Sequence, residues 1–244
     1  ERSSTPKSKV FEKIYENHIL NYSSNNREED YQTSSILYIC GGASSSNTYF
    51  QNLVEWRNER GYIVNVVSLS DIGSTTSSIK DYIQNAYENW ENPPEYVALV
   101  GYVGGSYSVP TYYNGFGHNS YGNDCEGDLP YSQLDGNDLL PEVLIGRISV
   151  QSSNELNTVS NKILIYEKAT YLDSFSDYYE NAVMAGDPST SGNSCAITKE
   201  YVKETLEAHG FEDVSIKTSG GSWASWMEDQ LENGLCHVPE PCLG

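Results

Sequence analysis

From about residue 34 onward the chain alternates short, dense apolar runs with stretches of helical hydrophobic spacing. Residues 36–40 (ILYIC) form an unbroken apolar run closed by Gly41 and Gly42, as a strand covered on both faces should. Residues 44–48 supply helix-capping side chains, which predicts a helix over 49–60 ended by Gly61. A second strand is expected at 62–69, then a turn-rich loop at 71–78. Ser77 and Ser78 are expected to cap a helix over 79–90 with Ile79, Tyr82, Ile83 and Ala86 on its apolar face. Pro93 and Pro94 stop it, and 96–101 (YVALVG) is the third strand. A fourth strand at 142–148 leads into a helix over 154–171, with Leu156, Val159, Ile163 and Tyr166 expected on the buried face. Successive strand–helix units predict an α/β fold with a parallel sheet.

Two stretches depart from this rhythm. Residues 1–33 are polar and without sustained period, and read as a surface arm carrying one short helix near 10–21. Residues 102–138 are rich in Gly, Tyr, Asn, Ser and Asp; a loop this long inside a compact domain is usually functional or ordered by a metal. After residue 173 the pattern restarts: a strand at 181–186, a helix at 196–209, a strand at 214–218 and a helix at 223–232. The expected organisation is an arm (1–33), a first α/β subdomain (34–172), the start of a second (173–234) and a tail of different character (235–244).

Charge narrows the function classes. With 34 acidic and 14 basic residues the net charge is -20, which argues against binding a nucleic-acid backbone, since that needs clustered Lys and Arg. No run approaches the length needed to span a membrane. The chain opens on Glu1 without a signal-like apolar segment and is expected to be an excised domain or partial product of a longer protein. Five cysteines (Cys40, Cys125, Cys195, Cys236, Cys242) at irregular spacing give neither a disulfide framework nor a zinc pair. Cys40, at the end of an apolar strand, is expected to be a small buried hydrophobe.

Candidate chemistry sits at three places. Asp124, Glu126, Asp128, Asp135 and Asp138, with Asn137, offer clustered oxygen ligands of the kind Ca²⁺ takes. The simpler reading of 135–138 is a tight turn using Asx chemistry, and the sequence is not an EF-hand. Arg147, at a strand end, is expected to form an ion pair with an acidic loop, the alternative being a substrate carboxylate. Asp187 follows the apolar run NAVMAG, so it falls at the carboxyl edge of a parallel sheet, where sites collect in open α/β folds. The simpler reading of Asp187 is a turn or helix-capping residue. Cys236 and His237 are adjacent and point to opposite faces of an extended chain, which makes a poor nucleophile–base pair. His118 and Cys125 share a loop without rigid support. The Gly-rich 41–47 lacks the Lys of a phosphate loop.

The segment 126–168 combines an acidic Asp-Gly-Asn-Asp turn, a strand ending Ile-Gly-Arg and a helix ending Tyr-Glu-Lys. That order resembles the gingipain-type cysteine peptidases, family C25, in the clan that also holds caspases. The resemblance implies a caspase-like α/β/α sandwich, its first subdomain complete and its second truncated. It implies hydrolysis of peptide bonds in proteins or peptides through a Cys thiolate and a His, outside the cell or at its surface. It assigns Asp187 the role of orienting the His, and it strengthens the case for structural Ca²⁺. In that family the His follows a strand just after the helix matching 223–232, and the Cys lies further on. Here the chain runs LCHVPEPCLG to its last residue, with Pro239 and Pro241 where a central strand would be. The segment bearing the His and Cys is therefore expected to be missing and this chain inactive; the alternative is a non-catalytic, Ca²⁺-stabilised α/β binding or scaffold module.

Overall fold

A computed structural model describes residues 7–22, 31–113, 127–136, 138–168 and 180–232. The chain forms two compact units, Glu1–Leu164 and Ile165–Gly244, with the division inside one helix.

The first unit is built on four parallel strands in the order β2-β1-β3-β4: β1 (Ser35–Cys40), β2 (Ile63–Ser68), β3 (Tyr96–Val100) and β4 (Leu144–Ile148). The central strand β1 is buried at all six positions, which is why its sequence is apolar without alternation. Its two faces nevertheless lead to different cores. Leu37 and Ile39 join Val97 and Leu99 beneath α4 (Thr76–Asn89), whose Ile79, Ile83 and Ala86 are fully buried. Ile36, Tyr38 and Cys40 face the other way, toward Phe50 and Val54 of α2 (Thr48–Glu59) and Leu156 of α5 (Ser153–Lys168). Helices on both faces of a parallel sheet make a three-layer α/β/α unit. Preceding it, α1 (Lys9–His18) belongs to the arm.

Several boundaries move for physical reasons. Thr75, not Ser77 or Ser78, caps α4, in a reciprocal box with Ser78, so the helix begins at Thr76. Residues 69–72, expected to close the second strand and open a loop, instead form a short helix, α3 (Leu69–Ile72), capped by Ser68. On α5 the buried positions are Leu156, Ser160 and Leu164, while Tyr166 is exposed. These three are spaced by four, and Tyr166 falls about 120° round the helix from the centre of their stripe.

The second unit has two parallel strands, β5 (Asn181–Ala185) and β6 (Asp213–Lys217). Between them lie the short α6 (Pro188–Ser191), where a polar loop was expected, and α7 (Asn193–Ala208); α8 (Trp223–Gln230) follows β6. No described helix is long and apolar enough to cross a membrane.

Candidate functional site

At the carboxyl edge of the four-stranded sheet, the loop after β3 folds back onto the strand ends. Tyr102 N–H donates to Val150 O at 2.8 Å, and Val109 N–H returns to Tyr102 O at 2.7 Å. The Tyr107 carbonyl then lies against Gly41 and Gly101; a Cβ on Gly41 would meet it at 2.5 Å, and one on Gly101 would overlap it. These glycines are required by close approach of backbone to backbone, not by a bound phosphate. The ends of β1 and β3, part of the edge that holds ligands in open sheets, are covered here by the protein's own loop.

Arg147 holds that closure. It lies on β4 opposite Leu99, and its guanidinium uses all five N–H donors. Nε and Nη2 donate to the two oxygens of Asp128 at 2.8 and 2.7 Å. Nη1 donates to Gly101 O at 2.9 Å and Val109 O at 2.8 Å, and Nη2 also to Pro110 O at 3.1 Å. Thr111 Oγ1 donates to Asp128 Oδ1 at 2.8 Å. The fully buried Tyr131 donates from its hydroxyl to Pro110 O at 2.8 Å, and burial raises the pKa of its phenol. An Arg with every donor matched inside its own protein is a structural clamp.

The acidic residues singled out for Ca²⁺ are distributed as follows. Asp128 is engaged by Arg147 and Thr111, which take three of the roughly four lone-pair sites of its carboxylate. Asp138 Oδ1 accepts from Leu140 N–H at 2.8 Å, an Asx turn. Asp135 lies in the same turn, whose backbone is held by a side chain that sequence reasoning assigned only to the fourth strand: Glu142 Oε2 accepts from Leu134 N–H at 2.6 Å and Asp135 N–H at 3.1 Å. Asp124, Glu126 and Asn137 lie outside the described residues, as do Cys125, Cys236, Cys242, His118 and His237. Among the described residues no three His, Cys, Asp or Glu side chains gather in a group that could hold a metal ion.

Asp187 stands two residues beyond the end of β5. Gly186 N–H donates to Lys217 O at 3.0 Å, which continues the pairing with β6 one step past the strand, and Asp187 follows in extended geometry. Its Oδ1 accepts from Ser189 N–H at 2.8 Å, capping α6. Hydrogen bonds from the Ser189 side chain and backbone lower the pKa of the Asp187 carboxyl from its ordinary value. The result is an exposed, ionised carboxylate at a parallel-sheet edge, tied down at one oxygen.

The two described cysteines and two described histidines are placed apart from such chemistry. Cys40 is fully buried, and burial pushes its thiol up to about 12, which leaves a negligible thiolate fraction at neutral pH. Cys195 and His209 belong to the first turn and the C-cap of α7, 14 positions and about 21 Å apart along the axis. His209 Nδ1 lies 2.8 Å from Thr205 O of its own helix. His18 closes α1.

The fold matches solved structures. One is the Arg specific cysteine proteinase gingipain R, with a TM-score of 0.66 and 24% identity over 88% of this chain and 47% of that chain. Another is the complex of Porphyromonas gingivalis RgpB pro- and mature domains, with a TM-score of 0.67 and 23% identity over 83% of this chain and 46% of that chain. These likenesses establish the caspase-like α/β fold. In sequence the chain is 28% identical over 162 residues to gingipain R2 of P. gingivalis, covering 65% of this chain and 20% of that protein. It is 27% identical over 197 residues to Lys-gingipain of the same species, covering 75% and 10%. It thus spans a fifth or less of these curated relatives and a little under half of the solved chains. Residues 29–236, most of the sequence, match the sequence model of peptidase family C25, and the chain belongs to that family of cysteine peptidases.

Proposed function

We propose that this chain is part of a gingipain-like cysteine endopeptidase acting on proteins or peptides outside the cell or at its surface, and that Asp187 orients the catalytic histidine. The family match carries the reaction class. The placement of Asp187 supports its role: an exposed carboxylate just past a parallel strand, with hydrogen bonds that favour its ionised form. A carboxylate there can accept an imidazole N–H, fix its tautomer and stabilise the imidazolium. Proteolysis would proceed by attack of a Cys thiolate on the scissile carbonyl, with the His as acid and base and backbone N–H groups holding the oxyanion. The product of the complete gene should cleave a fluorogenic peptide and lose that activity to a thiol alkylator; turnover indifferent to alkylation overturns the reading.

These 244 residues by themselves are proposed to be inactive. Support comes from the buried, deprotonation-resistant Cys40 and from the separation of Cys195 and His209 on one helix. Alkylator-sensitive turnover by this chain alone would refute that. The second reading, a Ca²⁺-stabilised binding or scaffold module, draws on the Arg147 clamp, which is all structure and no chemistry. A chelator that leaves the melting temperature unchanged rules it out.

A further inference from the structure

Glu95 is 1% exposed, and it joins the amino ends of three strands. Its N–H points to the Ser35 backbone and hydroxyl oxygens, each at 3.2 Å, and its carbonyl accepts from Leu144 N–H at 2.8 Å. Among the described residues its carboxylate has one side-chain donor: the Ser8 hydroxyl bonds to Oε1, and no group donates to Oε2. A buried carboxylate depends on whatever hydrogen bonds it has, so Ser8 matters more to Glu95 than an ordinary surface serine would.

Ser8 is also the N-cap of α1, its Oγ accepting from Phe11 N–H at 3.3 Å. That helix is docked in an unusual way. The one residue it buries is the acid Glu12, whose Oε1 accepts from the Tyr22 hydroxyl at 2.7 Å. Its ring contacts are within the arm itself: Phe11 with Tyr15 at 6.4 Å, and Tyr15 with Tyr22 at 5.7 Å. Ties to the sheet include a pair at the amino end of the helix, where Lys7 O accepts from Gln32 N–H at 2.9 Å and Gln32 Nε2 donates to Pro93 O at 3.1 Å. The apolar side chains of this ten-residue helix, Val10, Phe11 and Ile14, are only half-buried, so the ties at its amino end weigh heavily in keeping it folded and docked.

We infer that residues 7–22 form a detachable strap over the amino edge of the sheet, latched by the Ser8 hydroxyl on the buried carboxylate of Glu95. Strap on, Glu95 is dry; strap off, a carboxylate is delivered to water at the point where β1, β3 and β4 begin. The strap can therefore come away without disturbing either apolar core.

Hydrogen exchange of the whole chain, resolved by peptide, tests the latch. Ser8→Asp keeps a good N-cap but removes the donor and sets two carboxylates together. It should raise exchange in 9–18 by about tenfold, the scale of one lost hydrogen bond, while β1 and β3 stay within about twofold. Adding Glu95→Gln gives the carboxylate introduced at position 8 an amide donor and should bring 9–18 back to within about threefold of the starting protein. The inference is overturned if Ser8→Asp leaves 9–18 unchanged, if β1 and β3 open equally, or if the double variant is no closer to the parent.

Discussion

Arg147 and Asp128 meet in a two-pronged ion pair across 19 positions of sequence, with N–O distances of 2.8 and 2.7 Å and side chains only 12% and 20% exposed. The pair ties the turn at Asp128 to an edge strand of the sheet. Because the same guanidinium also takes the carbonyls of Gly101, Val109 and Pro110, it fixes the loop that caps the strand ends. A surface ion pair contributes little. This one is mostly shielded, and each partner left alone would be a poorly solvated charge.

Arg147→Ala should therefore cost about 3–5 kcal/mol in chemical denaturation, since it strands Asp128 and three carbonyls. Arg147→Lys should recover only part of that, because one ammonium with three donors cannot reach five acceptors in a plane. Equal stability of the Lys variant and the parent would show that the fork geometry is not what matters.

The glycines beneath the same loop give a paired comparison. Gly41 has ordinary backbone angles but no room, a Cβ lying 2.5 Å from Tyr107 O. Gly61, elsewhere on the first unit, has a φ of +87° and open space around it. Gly41→Ala should displace the capping loop and cost about 2 kcal/mol or more, by overpacking against rigid backbone. Gly61→Ala should cost about 1 kcal/mol, from the left-handed conformation alone. The ordering of the two melting temperatures is the measurement.

How much of this could be read from the chain follows the range of the interactions involved. The run ILYIC identified the central strand because a strand covered on both sides shows it locally. The apolar face of α4 was legible in the same way, although its first residue was not: Thr75 and Ser78 compete as caps, and only the reciprocal box decides. Arg147 was expected to pair with an acidic loop, but nothing in a row of similar acids selects Asp128, which is chosen by how the chain folds back over β3. Tyr166 looked buried because the stripe on α5 was assumed to alternate threes and fours. Asp187 was placed at a strand end by its apolar run, whereas its bond to Ser189 depends on a four-residue helix too short to leave a periodic signal.

Asp187 carries a prediction in pH and one in catalysis. Its carboxyl titrates below the ordinary value because Ser189 favours the charged form. The cap on α6 is therefore fully present above the unfolded carboxyl pKa, about 4, and is lost as pH falls through the lower folded value. The Asp187 side-chain carbon should show that depressed midpoint by NMR, and Ser189→Ala should raise it. In the complete peptidase, Asp187→Asn should lower kcat by about 10²- to 10⁴-fold, with the fold retained. A variant with full activity would remove Asp187 from the catalytic reading while leaving its capping role intact.

Cys40 offers the last check, because it separates a cysteine peptidase's family membership from its reactive thiol. The residue ends β1, sits among Tyr38, Phe50 and Val100, and is wholly inaccessible. Burial is the main cause of its raised pKa, and the Ser44 hydroxyl offsets it only partly. Thiol reagents attack the thiolate, so both access and ionisation protect this sulfur. In the native chain at about pH 8, near the ordinary thiol pKa, alkylation followed by peptide mapping should find Cys195, which is half-exposed, modified well before Cys40. Cys40 should react only after denaturant opens the sheet, at a midpoint matching global unfolding. Rapid native labelling of Cys40 would mean that the carboxyl edge is open, and that Arg147 and the loop it holds do not seal it.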